Sequence, residues 1–170
     1  MDVNEAIAAR YSCRHYQDKT IESDKLNCIL EAARLAPSAR NMQDWRFVVV
    51  QDAKTKQRLA EAANHQMFIA QAGVIIVGCN VSDYVMRCGQ AVAPINVAIA
   101  LDHMSLQATE LGMATCWIGS FFPEKIRQVL AIPSGVVVVE LLAVGYPADQ
   151  RTSPLREPLE NIVCFEAWDF

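Results

Sequence analysis

The stretch from Pro94 to Leu111 constrains the fold more than any other. It reads Pro-Ile-Asn-Val-Ala-Ile-Ala-Leu-Asp-His-Met-Ser-Leu-Gln-Ala-Thr-Glu-Leu, and at helical spacing it is apolar on several sides. A helix that rests on a core with one stripe does not look like this. A helix apolar on several sides must be packed from more than one direction, so this segment is expected to be central. Gly112 stops it.

The surrounding layers come from shorter elements. Asp2–Ala9 reads as a short helix with Asp2 and Glu5 as a capping pair. Leu26, Ile29, Leu30 and Ala33 recur at i, i+3, i+4 and i+7, which predicts an amphipathic helix over Ser23–Leu35, ended by Pro37. Arg46–Gln51 and Val74–Cys79 read as buried strands. Asp52 caps a helix running to about Ala63. Thr115–Ile118 is a short strand, Pro123 opens a helix through Leu130, and Val136–Val144 is the strongest strand, closed by Gly145-Tyr146-Pro147. Helices and strands are interspersed without a regular βαβα alternation. The expected class is therefore α+β, a sandwich with a mainly antiparallel central sheet flanked by helices. Neither a repeat nor a linker divides the chain, and residues 1–170 read as one domain.

Composition excludes several alternatives. The chain is 52% hydrophobic with a net charge of −4, which rules out a disordered polymer and makes a nucleic-acid partner a poor expectation. No apolar run approaches the ~20 residues of a membrane span. The N-terminus lacks the positive region and apolar core of a signal peptide. The six cysteines show no C-x-x-C pair and do not cluster with the three histidines, which argues against a metal site and for packed thiols in a cytoplasmic chain.

Four segments could carry chemistry. In Arg10-Tyr11-Ser12-Cys13-Arg14, two guanidiniums and a hydroxyl alternate. In an extended chain they share one side and suit a phosphate dianion, although the same pattern also reads as a solvated basic turn. Ser38, Asn41 and Gln43 cluster in a loop between a helix stop and a strand start. Neutral donors and acceptors there suit the edge of a heteroaromatic ring, or simply a well-made turn. Between Gly112 and Gly119 a short strand permits backbone approach to a flat ligand, or is only a cap and a turn. Trp117, Phe121 and Phe122 read as core at least as readily as a cofactor platform. Arg156 is a single tail arginine, ordinarily solvated. The chain contains no G-x-G-x-x-G, no P-loop and no nucleophile elbow.

Taken in order, these segments resemble the FMN-dependent nitroreductase family, in its compact branch. The matching pieces are Arg10-x-Ser12-x-Arg14, Ala36-Pro37-Ser38-Ala39-x-Asn41-x-Gln43-x-Trp45, Asn96 through Met104, Leu111-Gly112 through Gly119, Gly145-Tyr146-Pro147 and Arg156-Glu157-Pro158-Leu159. The resemblance implies an intertwined homodimer with FMN at the subunit interface and NADH or NADPH as co-substrate. It implies ping-pong hydride transfer through flavin N5 to a small oxidised acceptor such as a nitroaromatic or a quinone. By position, Arg10, Ser12 and Arg156 are implied as the phosphate cradle, and Arg14 as the cation at the N1/O2 edge of the ring. Pro37, Ser38, Asn41 and Gln43 are implied as ring contacts from the other subunit. Trp117, Ile118 and Gly119 are placed over the ring near N5, with no side-chain acid or base required.

Three departures stand out. Asp44 replaces the usual proline, which predicts a looser, more acidic loop. Asn96 replaces a common aspartate at the start of the central helix, which bears on one helix-start contact there. Only about fifteen residues separate Cys79 from Pro94, too few for the helices that cover the flavin in longer relatives, so an open pocket is expected. An alternative is an FMN-binding storage or sensor module without efficient NAD(P)H turnover. The apolar excess itself is expected to be covered by the dimer, through the central helix and the tail Ile162–Phe165.

Overall fold

A computed structural model describes residues 1–149 and 155–169. The chain opens with α1 (Val3–Ala9), where the Asp2 carboxylate accepts from the Glu5 N–H at 2.8 Å and Glu5 accepts from the Asp2 N–H at 2.9 Å. This is the capping pair expected from the sequence. Next come α2 (Ser23–Arg34), a 3₁₀ turn at Ala39–Asn41, β1 (Trp45–Val50) and α3 (Ala53–Ala62), the last capped by Asp52 on the Thr55 N–H at 2.8 Å. A second 3₁₀ turn (Met67–Gln71) leads into β2 (Val74–Asn80). Then follow α4 (Val92–Glu110), β3 (Ala114–Ile118), α5 (Pro123–Leu130) and β4 (Val137–Gly145). The tail carries a 3₁₀ turn at Leu159–Asn161.

The four strands form one antiparallel sheet in the order β1-β2-β4-β3. Both central strands are apolar runs because they are covered on both faces. Ile75, Val77, Leu141 and Ala143 face a core layer with Leu59 and Ala60 of α3 and Ile126 of α5. Val74, Ile76, Leu142 and Val144 face the other layer, with Val97, Leu101 and Met104 of α4 and Leu26, Ile29 and Ala33 of α2.

Helix α4 is central, as its composition demands. It lies between the sheet and α2, with α1 on its flank. It starts at Val92, and Pro94 sits in the first turn, where a missing N–H costs nothing. Gly78 lets it approach β2, since a Cβ there would lie 2.6 Å from Val97 Cγ1. Between β2 and α4 the chain makes a small hairpin closed by the Val85–Ala91 bridge, with no helix among the described residues.

Candidate functional site

The edge of the sheet at β3 is covered by the segment after α1. Ser12 forms a parallel bridge with Thr115, and the Cys13 N–H donates to Thr115 O at 2.9 Å. The segment is anchored again at Tyr16, bridged to Pro147, with the Tyr16 hydroxyl 3.1 Å from Cys13 O. Extended backbone alternates its side chains. Tyr11 and Cys13 pack on the core, so Arg10, Ser12 and Arg14 fall on the opposite side, half-buried or exposed, and the alternation ends before Tyr16, which turns back into the core. Burial pushes the Cys116 thiol up, while the positive charges of Arg14 and Arg10 pull it down. Both guanidiniums therefore act on the same stretch of β3. That strand runs on to Trp117, Ile118 and Gly119. The Ile118 side chain is buried in the core and the Trp117 ring packs toward the α4 layer, so what the strand end offers outward is the backbone at Gly119, which is exposed.

The second cluster lies at the opposite edge of the sheet. The loop between α2 and β1 carries three positive φ values, Arg40 at 54°, Asn41 at 55° and Gln43 at 50°. Such backbone in side-chain-bearing residues persists only where the surroundings hold it. Here Ser38 Oγ accepts from the Gln43 N–H at 3.0 Å, and Ser38 O accepts from the Asn41 N–H at 2.9 Å. The Ala39 N–H donates to Asn96 Oδ1 at 3.0 Å, and Asn96 Nδ2 donates to Asp44 Oδ1 at 2.8 Å. Pro37, Asn41 and Gln43 are exposed and Ser38 is half-buried.

The expectation of a looser, more acidic loop is thereby corrected. Asp44 is 6% exposed and Asn96 fully buried, and they hydrogen-bond each other. The carboxylate points inward and ties the loop to α4. The two departures form one coupled feature: an amide at 96 can accept from the loop and donate to an acid at 44, which a second carboxylate could not do. Asn96 makes both of these contacts from the start of α4.

Arg156 lies in the exposed tail, with Nη1 3.3 Å from Leu155 O. The structure thus sets Arg10, Ser12 and Arg14 at one edge, along β3, the strand that ends at Trp117 and Ile118 before Gly119. It gathers Pro37, Ser38, Asn41 and Gln43 at the other, three strand spacings or roughly 14 Å away across the sheet. One charged side chain escaped the motif reading. Glu140 is the only ionisable residue in β4, and its carboxyl oxygens lie 3.5 and 3.6 Å from where a Cβ on Gly119 would stand. A lone acid inside an apolar strand run was the available signal.

The Nitroreductase family model matches residues 7–73 and 62–146, most of the chain. The chain belongs to the nitroreductase family. It is 31% identical to a Thermus thermophilus protein named NADH dehydrogenase, over 96% of this chain and 95% of that one. A solved nitroreductase family protein from Clostridium difficile 630 superposes with a TM-score of 0.89 at 35% identity, covering 99% of this chain and all of the other. The structure of an FMN-dependent nitroreductase from Clostridium difficile R20291 gives a TM-score of 0.85 at 28% identity, over 97% and 99% of the two chains.

Proposed function

We propose that this nitroreductase-family chain is a single-domain, FMN-dependent oxidoreductase. It takes a hydride from NADH or NADPH and passes the electrons to a small oxidised acceptor, a nitroaromatic, a quinone or a related compound, by a ping-pong route. The names of its relatives support the cofactor and the reductant. The observation that carries the reading is the docking of residues 10–16 on β3, which sets two cations and a hydroxyl along the strand that leads to the exposed Gly119.

That donor set fits FMN. Arg10 and Ser12, with Arg156, would hold the phosphate through charge-assisted hydrogen bonds. Arg14 would supply a fixed positive charge to the ring when FMN is bound, favouring added negative charge. The backbone of Ile118 and Gly119, with Trp117 behind it, would face the reacting edge of the ring. When bound, FMN supplies the ring that accepts and releases the hydride. The chain contributes position and electrostatics.

The loop carrying Pro37, Ser38, Asn41 and Gln43 belongs to the partner's site in a homodimer, which accounts for its place at the far edge. The surface supports such a dimer. Leu155, Leu159, Ile162 and Phe165 in the tail are exposed, and α1, α2 and α4 line a groove of about 410 Å³ that includes Val3, Ala6, Leu35 and Leu106. Six free thiols suit a cytoplasmic protein. Purified protein is expected to be yellow and to sediment as a dimer at micromolar concentration. Excess NADH or NADPH under anaerobic conditions is expected to bleach its band near ~450 nm. A colourless protein that FMN does not reconstitute overturns the reading. A yellow protein that neither nucleotide bleaches makes it a binding module.

A further inference from the structure

Strand β4 reads Val-Val-Val-Glu-Leu-Leu-Ala-Val-Gly, and its one acid stands between Gly78 of β2 and Gly119, the residue that follows β3. Glu140 pairs with Gly78 of β2, and on the β3 side it lies just beyond the Ile118–Leu141 pair, next to Gly119. Side chains alternate along β4, so Glu140 shares the face of Leu142, toward α4. There α4 closes over Gly78 with Val97 and Leu101, and the carboxyl leans instead toward Gly119. Oε1 is sealed from solvent with no hydrogen-bond partner. The carboxyl oxygens stand against Gly119, and burial alone raises the pKa of the group. A half-buried carboxyl with one oxygen unmatched in an apolar strand is costly, and its second oxygen, also beside Gly119, is the one a ligand donor can reach.

We propose that Glu140 is the residue that orients the nicotinamide of NADH or NADPH, its carboxyl oxygen accepting an N–H of the ring's carboxamide. The inference rests on the functional reading above, which puts the reacting edge of the flavin at Gly119. The nicotinamide must bring C4 to that edge. Its only hydrogen-bond-donating group, the carboxamide, sits on the adjacent ring carbon. An acceptor one side chain away from Gly119 is therefore placed to select which way the ring lies. A site built to hydrogen-bond a ligand N–H strongly rejects an analogue that lacks it.

The test compares NADH with its reduced 3-acetylpyridine analogue, which has no carboxamide N–H, on FMN-loaded protein. It uses wild type, Glu140→Gln, which keeps an accepting oxygen, and Glu140→Leu, which has none. KM under anaerobic single-reductant conditions is one readout. The dissociation constants of oxidised NAD⁺ and its acetylpyridine analogue, from perturbation of the flavin band, form a second that needs no turnover. Wild type and Glu140→Gln are expected to favour the carboxamide by at least about tenfold in both, and Glu140→Leu to bring the two nucleotides within about twofold. FMN affinity, from fluorescence quenching, is expected to stay within about twofold in all three. Discrimination that survives in Glu140→Leu, or FMN affinity that falls with it, overturns the proposal while the flavin reading stands. A wild-type protein that binds no FMN overturns both.

Discussion

The two clusters at opposite edges of the sheet are built on different principles. At the β3 edge, backbone does the holding. Segment 10–16 is fixed by the Ser12–Thr115 bridge, the Cys13 N–H bond and the buried Tyr16 anchor, so Arg10, Ser12 and Arg14 face away from the core with their donors available. At the β1 edge, side chains do the holding. Ser38 Oγ, both polar atoms of the Asn96 amide and one oxygen of Asp44 are spent on a loop with three positive φ values. Polar residues in the first cluster are available for a ligand, whereas half of those in the second are structural. A motif of similar polarity in the sequence thus divides into two kinds of role, decided by whether the backbone is already satisfied.

The sharpest way to break this contrast is at the loop. Asn96→Leu removes the donor to Asp44 and the acceptor for Ala39, leaving an acid buried with no partner. It is expected to cost about 3 kcal/mol of stability in urea unfolding. Asn96→Asp sets two buried carboxylates face to face and is expected to be destabilising, and adding Asp44→Asn to it restores a donor–acceptor pair and most of the loss. A double variant no better than Asn96→Asp alone would show that the two positions are not coupled.

At the other edge, deletion is expected to leave the fold intact and reach the cofactor. Arg10→Ala removes a charge-assisted hydrogen bond to phosphate, so FMN binding is expected to weaken by about 1.5–3 kcal/mol with the melting temperature nearly unchanged. Flavin fluorescence titration measures it. Unchanged affinity would remove Arg10 from the cradle. Arg14→Ala acts on charge at the ring and not on the phosphate. The potential of bound flavin is expected to fall by roughly 30 mV, equivalent to ~1.4 kcal/mol for two electrons, with oxidised-FMN affinity less affected.

Local features were legible in the sequence because their partners are close along the chain. Asp2 with Glu5, Asp52 with Thr55 and Pro123 at a first helical turn all behave as read. The central place of α4 followed from its apolar sides. The strand order β1-β2-β4-β3 did not follow, since pairing across the sheet leaves no local mark. The Asp44–Asn96 bond was invisible for the same reason. It joins positions 52 residues apart, and each looked like an isolated departure that loosened the site. Glu140 was hidden inside a strand whose apolar run was enough to assign it. In each case the missing information was which residue stands opposite, which only the assembled sheet supplies.

The smallest effect concerns what keeps the β3-edge segment straight. Beyond Tyr16, the Gln17 N–H donates to Tyr146 O at 2.9 Å, and the Tyr146 hydroxyl donates to Glu22 Oε2 while accepting from Lys25 Nζ at 2.8 Å. The hydrogen bond from Tyr146 is the first cause holding the Glu22 carboxyl down at about 2, assisted by its own backbone and by Lys25 and Lys19. A carboxyl held below its unfolded value stabilises the fold above the ordinary range near 4.5, and this contribution is lost as pH falls toward about 2. Tyr146→Phe keeps the ring under Lys19, which lies 3.7 Å from its centroid, and removes only the hydroxyl. Melting temperatures taken from pH 6 down to about 2.5 are therefore expected to fall less steeply in the variant, with the two curves converging at the acid end. Parallel curves would mean that Glu22 is held by the lysines alone. The segment bearing Arg10, Ser12 and Arg14 would then rest on backbone bonds at its far end as well, and the contrast between the two edges would be complete.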